Sequence, residues 1–305
     1  MRHLISLNDL TDDDLTSIVA RGVRLAASPA FRPRTLDGVV AGIYFRKTST
    51  RTRCAFSAGA LRLGGQIVSL GPDDLQTNTG ETAMDTGRVL SRMLDILVAR
   101  TAASTEELRL WSTPDTMAVV NAMSAEEHPT QALADLTTLL AHFGHVEGLR
   151  ILYLGEGNNT AAALALALSR YAGVVLELRT PPGYGLAGAA MTRATGQAAR
   201  CGATIVERHD MAELPEAVDV VYTTRWQTTG SIKPDPGWRA VFAPFKVDSG
   251  LWRDSPKAVF MHDLPAHRGE EVTAEVLDGA ASIAFDQAGN KLYSAMAVLE
   301  WCRPR

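Results

Sequence analysis

The run Phe45-Arg46-Lys47-Thr48-Ser49-Thr50-Arg51-Thr52-Arg53 gathers four small hydroxyl residues and four cations (Arg46, Lys47, Arg51, Arg53) in one short stretch. That mixture suits a phosphate: guanidinium groups clamp its oxygens, and hydroxyls with free backbone N–H groups donate to it. A capped surface helix with solvated arginines accounts for one Ser or Thr and one Arg, not for the whole run. Farther along, Arg100, His128 and Gln131 offer a guanidinium, an imidazole N–H and an amide N–H. Three such donors can polarise a carbonyl as charge develops on its oxygen. His128 alone reads as a satisfied structural histidine; Arg100 and Gln131 shift it toward chemistry. The stretch His262-Asp263-Leu264-Pro265-Ala266-His267-Arg268-Gly269-Glu270-Glu271 reads as a solvated charged loop or as a site at a strand tip, with Asp263 close to that tip. Gly155-x-Gly157-x-x-Thr160 is a weak dinucleotide pattern, because the third glycine is absent and Glu177 is out of place for a ribose partner. A tight turn into a helix explains these glycines better, with the amides of Asn158 and Asn159 on the cleft side. No metal-ligand spacing, Gly-x-Ser-x-Gly motif or lysine P-loop is present.

Regular elements must position these groups. Residues 39–45 form an apolar run that reads as a buried strand, and apolar residues recur at helical spacing over 54–61. The hydroxyl-rich run therefore lies where a strand hands over to a helix, at its free N–H groups and positive dipole end. Before it, Thr11 and three aspartates open a helix with Leu15, Ile18, Val19 and Leu25 on one face. After it, strands are expected at 66–70, 94–100 and 117–120, with a polar loop at 71–80 and helices at 81–93 and near 104–111. A loop at 121–127 leads to a helix that opens at His128 and ends near Phe143, with Pro129 in the first turn. Residues 144–148 form a junction. A second alternating set follows: strands at 149–154, 174–178, 219–222 and 257–261, helices at 160–171, 185–200 and 290–301, and a long connection at 224–250. This pattern predicts an α/β chain of two domains, each a mostly parallel sheet flanked by helices. One covers 1–143, joined by the C-terminal helix at about 288–305, and the other covers 149–287. Ligands in such sheets lie beyond the carboxyl ends of the strands, so the phosphate loop, Arg100 and His128 should converge on one rim.

The 305 residues suit two domains, and 46% hydrophobic with 21% charged residues excludes a disordered chain. A net charge of −4 argues against general nucleic-acid binding. Cys54, Cys201 and Cys302 cannot all pair and have no metal spacing, which fits a reducing compartment. The acidic N-terminal stretch is no signal peptide, and no apolar run approaches membrane-spanning length. A cytoplasmic protein with no nucleic-acid or membrane partner is expected.

Several separated motifs, in order, are similar to those of the aspartate/ornithine carbamoyltransferase family, and more to its ornithine branch. Ser49-Thr50-Arg51-Thr52-Arg53 resembles the family's carbamoyl-phosphate signature, and His128-Pro129-Thr130-Gln131-Ala132-Leu133-Ala134-Asp135-Leu136 its second signature. Arg100 matches the strand-end arginine. His262-x-Leu264-Pro265-Ala266-x-Arg268-Gly269-Glu270-Glu271-Val272-Thr273 and Phe285-Asp286-Gln287-Ala288-x-Asn290 match the ornithine-type closing segments. The resemblance runs from about residue 3 to the C-terminus. It implies a carbamoyltransferase without a cofactor, which binds carbamoyl phosphate on the first domain and a small amine acceptor on the second. It further implies a homotrimer or a multiple of trimers, with Gln76 reaching a neighbour's site, and a cis Leu264–Pro265 bond. By the same resemblance, Arg100, His128 and Gln131 are the catalytic candidates, and Asp263, which stands where the ornithine branch carries Cys, is added to them. Ser49, Thr50, Arg51, Thr52, Gln76, Leu264 and Lys291 are the carbamoyl-phosphate candidates, and Asn159, Thr224, Arg225, Thr228 and Thr229 the acceptor candidates. No metal is implied.

Three departures bear on the acceptor. Ornithine-type members carry Cys where Asp263 stands, Asp-x-Trp-x-Ser-Met-Gly where this chain has Thr224-Arg225-Trp226-Gln227-Thr228-Thr229-Gly230, and Arg where Lys291 stands. The acid that holds ornithine's α-amino group is thus replaced by Thr224. Thr224-Arg225-Trp226-Gln227 instead resembles the aspartate branch's Thr-Arg-Val-Gln, whose arginine holds a carboxylate. Asp263 either binds a cationic group or accepts the attacking amine's proton. Two rival readings remain at this point: a non-catalytic relative that binds a phosphorylated metabolite or serves as a partner subunit, and a nicotinamide oxidoreductase resting on Gly155-x-Gly157 alone.

Overall fold

Helix α1 (Asp12–Ala27) starts where the sequence caps it. Thr11 Oγ1 accepts from the Asp14 N–H, and the Asp14 carboxylate accepts from the Thr11 N–H in return. Its apolar face, Leu15, Ile18, Val19 and Leu25, is buried. The structure is a computed structural model that describes residues 1–228 and 232–304. Residues Met1–Ala141 with Gly289–Arg305 form one compact unit, and His142–Ala288 the other.

In the first unit α1 is followed by β1 (Val40–Phe45), α2 (Thr50–Arg62), β2 (Gln66–Leu70), α3 (Ala83–Leu90), β3 (Ile96–Arg100), α4 (Thr105–Ser112), β4 (Ala118–Met123) and α5 (Pro129–Phe143). The strands form a parallel sheet in the order β2-β1-β3-β4. β3 and β4 are buried throughout, while β2 is an edge strand with an exposed face. The register sets Phe45 beside Arg100 and Arg100 beside Met123, so three strands end together. β4 runs on to Met123, past the boundary expected at Val120. Asn121 is a turn former by type, but its buried Nδ2 donates to the carbonyl of Ile5 at 2.8 Å, which lets the residue stay in the strand.

The second unit contains β5 (Arg150–Leu154), α6 (Asn159–Leu168), β6 (Val175–Arg179), α7 (Gly188–Cys201), β7 (Thr204–Arg208), β8 (Val220–Thr223), α8 (Trp238–Phe242), β9 (Val259–His262) and α9 (Ala274–Leu277). Its parallel sheet has the order β7-β6-β5-β8-β9. Leu152, Leu154, Val221 and Phe260 from β5, β8 and β9 share one core cluster. β7 was not expected from sequence; it is a partly exposed edge strand in which apolar and polar residues mix. Within the long connection expected at 224–250, the described residues include α8, and Trp226, Trp238 and Phe242 cluster with Tyr184. Gly157 is required by close approach: a Cβ there would meet the backbone of Gly185 and Leu186 at 2.3 Å. The last helix, α10 (Ala284–Cys302), begins before the expected Asn290 and includes Gly289, a residue that weakens the helix signal in sequence.

Candidate active site

In the first unit, α2 begins directly after the hydroxyl-rich run. Ser49 is its N-cap residue, yet its hydroxyl makes no capping hydrogen bond. Thr50 is exposed and Thr52 is buried. The first turn thus keeps free N–H groups and an uncommitted hydroxyl, the arrangement an anion requires. The four cations of the run separate by role. Arg46 makes a bidentate pair with Glu107, at 3.0 and 2.6 Å, and also donates to Tyr44 Oη. The Glu107 hydrogen bonds raise its pKa and tie it to the fold. Arg53 stacks on the Phe45 ring at 5.2 Å. Two of the four cations in the run, Arg46 and Arg53, are thus engaged within the fold.

Two of the residues expected to polarise a carbonyl, Arg100 and His128, meet at the end of β3. Arg100 is 7% exposed, and its Nη1 lies 3.5 Å from His128 Nε2. His128, 4% exposed, precedes Pro129 at the first position of α5. Its Nδ1 lies 3.3 Å from Thr130 Oγ1. The tautomer that lets Thr130 donate to Nδ1 puts the proton on Nε2, beside the guanidinium. Two donors 3.5 Å apart can then share one developing oxyanion. Burial, and after it the charges of Arg100 and Lys291, hold the His128 pKa well below its ordinary 6.5. Lys291, on α10, is itself 8% exposed.

This depressed pKa has a consequence for stability. The unfolded chain takes up a proton near 6.5 that the folded His128 refuses. Stability is therefore present above that pH and is lost as the pH falls below it toward the folded pKa. Urea unfolding between about pH 7.5 and about pH 5.5 should show a steeper acid loss in the native chain than in His128→Asn. Equal slopes would contradict a neutral, buried His128.

Gln131 differs from the sequence expectation. Its Nε2 donates to Asp135 Oδ1 at 2.7 Å, and both residues are fully buried. Its Oε1 is buried and has no hydrogen-bond partner among the described residues. Oε1 is therefore a spare acceptor beside the remaining Nε2 hydrogen, an addition to the donor expected. Such an acceptor suits an N–H group next to a carbonyl. Asp135 acts by fixing that orientation one helical turn away. Gln76 is exposed on a 3-10 turn, where its Oε1 accepts from Thr79 at 3.1 Å.

The second unit presents a separate cluster at the ends of β5, β8 and β9. Asn158 caps α6 through Oδ1 and donates from Nδ2 to Thr224 Oγ1 at 3.1 Å. Tyr153 donates its phenol proton to the Glu156 carbonyl at 2.6 Å, so at its 3.1 Å contact with Thr224 the phenol oxygen accepts. Burial is the main cause that pushes the Tyr153 pKa up, with Asp263 and Glu156 adding to it, so the proton stays in place. Thr224 is 1% exposed and its hydroxyl is committed to these neighbours. Asn158 and Thr224 are thus held by each other and by Tyr153, whereas Asn159, 6% exposed, opens α6.

Asp263 follows β9. Its Oδ2 accepts from Thr160 Oγ1 at 3.2 Å, and no lysine or arginine pairs with it among the described residues. His262 Nδ1 accepts the Leu264 N–H at 2.8 Å, which leaves the ring proton on Nε2 for Glu271 Oε1 at 3.2 Å. Leu264 has φ 53°, a left-handed conformation that disfavours a leucine, and that hydrogen bond supports it. The Leu264–Pro265 bond is cis, as the resemblance implied. Arg225 is half-buried and likewise has no ion-pair partner among the described residues. Thr228 donates to Glu156 Oε2 at 3.1 Å, and Thr229 lies outside the described residues. His267, Glu270 and Glu271 bring ligand-type atoms within 4.8 Å of one another, but Glu270 pairs with Arg239 and Glu271 with His262.

A model of the aspartate/ornithine carbamoyltransferase carbamoyl-P binding domain matches residues 2–141, and one of the aspartate/ornithine carbamoyltransferase Asp/Orn binding domain matches residues 147–302. The chain belongs to the aspartate/ornithine carbamoyltransferase family. It is 39% identical over 303 residues to ornithine carbamoyltransferase of Symbiobacterium thermophilum, covering 98% of this chain and 96% of the relative. It is 37% identical to that of Thermococcus kodakarensis, over 98% and 95% of the two chains. Among solved structures it matches ornithine carbamoyltransferase from Pyrococcus furiosus with a TM-score of 0.91 at 36% identity, over 98% of this chain and 96% of that one.

With the carbamoyltransferase family in hand, the sequence candidates divide clearly. Arg100 and His128 are in contact, and Lys291 is near enough to act on His128 electrostatically. In the second unit, Asp263 and Thr224 both bear on Tyr153. Sequence reasoning missed Asp135, whose i, i+4 spacing from Gln131 was a readable signal, and Lys233, which had none.

Proposed function

We propose that the chain transfers the carbamoyl group of carbamoyl phosphate to the side-chain amine of ornithine or a closely related diamino acid, and releases phosphate. The neutral amine attacks the carbonyl carbon and forms the new C–N bond. The C–O bond to phosphate then breaks, and the surplus amine proton leaves with the phosphate. Arg100 and His128 hold the oxygen as its charge grows, and the contact between them carries this reading. Gln131 Oε1 receives the carbamoyl N–H. Ser49, Thr50, Arg51, Thr52 and the start of α2 hold the phosphate, with Gln76, Leu264 and Lys291 as further ligands. Little covalent work is left to the protein, so most of the rate comes from positioning and electrostatics.

Among the described residues no lysine or arginine pairs with Asp263 and no carboxylate pairs with Arg225, which supports an amino-acid acceptor. Asp263 meets an ammonium and Arg225 a carboxylate, with Asn159, Thr228 and Thr229 completing the pocket. The relatives named ornithine carbamoyltransferase make ornithine the first compound to test. Phosphate release should depend on both carbamoyl phosphate and an amine, and mass spectrometry should detect a ureido product. A panel of ornithine, lysine, 2,4-diaminobutyrate and aspartate ranks the acceptors. Absence of amine-dependent phosphate release with every member would sink the reading. The homotrimer or multiple of trimers implied by the resemblance belongs to this proposal, as does the cytoplasm. Three free cysteines favour that compartment, and no helix among the described residues is long and apolar enough to cross a membrane.

A further inference from the structure

Lys233 is the least expected charged residue of the second unit. It lies in the connection between β8 and α8, yet its side chain is only 3% exposed. Its ammonium sits in a box of rings, 4.5 Å from the Tyr184 centroid, 4.6 Å from Phe242 and 5.3 Å from Trp238. The fourth wall is the Glu156 carboxylate, which accepts from Lys233 Nζ. A buried ammonium needs such compensation, and ring faces with a carboxylate supply it. The box is built on a firm base. Phe242 contacts Tyr184, Trp226 and Trp238 at centroid distances of 4.8, 5.5 and 5.3 Å. Glu156 stands between Gly155, at φ 122°, and Gly157, whose position the backbone of Gly185 and Leu186 dictates.

Glu156 has a second task. Its other oxygen, Oε2, accepts from Thr228 Oγ1 at 3.1 Å. One carboxylate on a fixed turn therefore holds the connection at two points, Thr228 and Lys233. The stretch immediately before them carries Arg225 and Thr224. We propose that Lys233 and Glu156 are positioning residues for the amine acceptor: Glu156, on the β5–α6 turn, fastens Thr228 and Lys233, and so holds Arg225 and Thr228 where the acceptor is read. The assignment rests on the functional reading above.

The test pairs exchange with kinetics. Lys233→Met keeps the alkyl stem among the rings and removes the charge; Glu156→Gln removes the shared anion from the other side. Hydrogen–deuterium exchange in peptides from 224–228 and 232–245 should rise on the order of tenfold in either variant, with exchange in the β1–β4 sheet unchanged. The KM for ornithine should rise on the order of tenfold while the KM for carbamoyl phosphate stays put. The double variant should add little to either single one, because both remove the same pair. A merely structural role would lower the melting temperature and active fraction without separating the two KM values. Unchanged exchange, or an unchanged KM for ornithine despite faster exchange, would overturn the proposal. A failure of the functional reading appears elsewhere, in a wild-type chain that carbamoylates no acceptor.

Discussion

Arg100→Met should lower kcat by roughly 10²–10³-fold, the loss typical of one oxyanion donor in a water-poor site. The guanidinium sits at the last position of β3, 7% exposed, with its Nη1 3.5 Å from His128 Nε2. Little water is available there to replace it, so the developing charge would keep a single strong donor. Methionine preserves much of the stem volume, which separates lost charge from lost packing. A second effect follows from the same contact. Burial is the main cause of the depressed His128 pKa, and Arg100 adds to it, so removing the guanidinium should raise that pKa. Histidine NMR titration would detect the rise, and steady-state kinetics at saturating carbamoyl phosphate would measure the loss. A decrease of less than about tenfold in kcat would remove Arg100 from the oxyanion role.

Asp263→Asn should raise the acceptor KM by roughly 10–100-fold, the range expected when a hydrogen bond to a charged group is lost. The carboxylate accepts from Thr160 and has no lysine or arginine partner among the described residues, so an acceptor ammonium would be its first cation. Asparagine keeps the size and can still accept from Thr160, which confines the change to charge. The KM for carbamoyl phosphate should hardly move. The other role considered for Asp263, acceptance of the amine proton, has a different signature. It would leave the acceptor KM alone, depress kcat and shift the acid limb of the pH–rate profile. An acceptor panel run on the variant adds a sharper criterion: neutral or anionic acceptors should gain relative to ornithine.

Much of the scaffold was legible because its signals are local. Thr11 with Asp14 closes a capping box within one turn, Pro129 opens α5, and the alternation of apolar runs with helical patterns predicts two parallel sheets. Each of these depends on a window of a few residues, where propensity and periodicity act directly. The errors lie where a distant partner overrides the window. Asn121 stays in β4 because Ile5 receives its amide, and α8 forms where Trp238 and Phe242 cluster with Trp226 and Tyr184 from elsewhere in the chain. Edge strand β7 has too little alternation to announce itself.

The amino-acid sequence by itself determined the family and the helix start that suits a phosphate, and it singled out Arg100, His128 and Gln131 as candidates near a carbonyl. Only the tertiary structure decided how the charges are spent. Arg46 looks like a phosphate ligand in sequence, but Glu107, far away in the chain, claims it. Gln131 looks like a donor, but its Nε2 is committed to Asp135 and its buried Oε1 has no hydrogen-bond partner among the described residues. Lys233 looks like a surface lysine, but Glu156 and three rings enclose it. The physical reason is common to all three. A residue type states what a side chain can donate or accept, whereas burial forces each polar group to find a partner, and strand register and helix packing decide which partner is within reach.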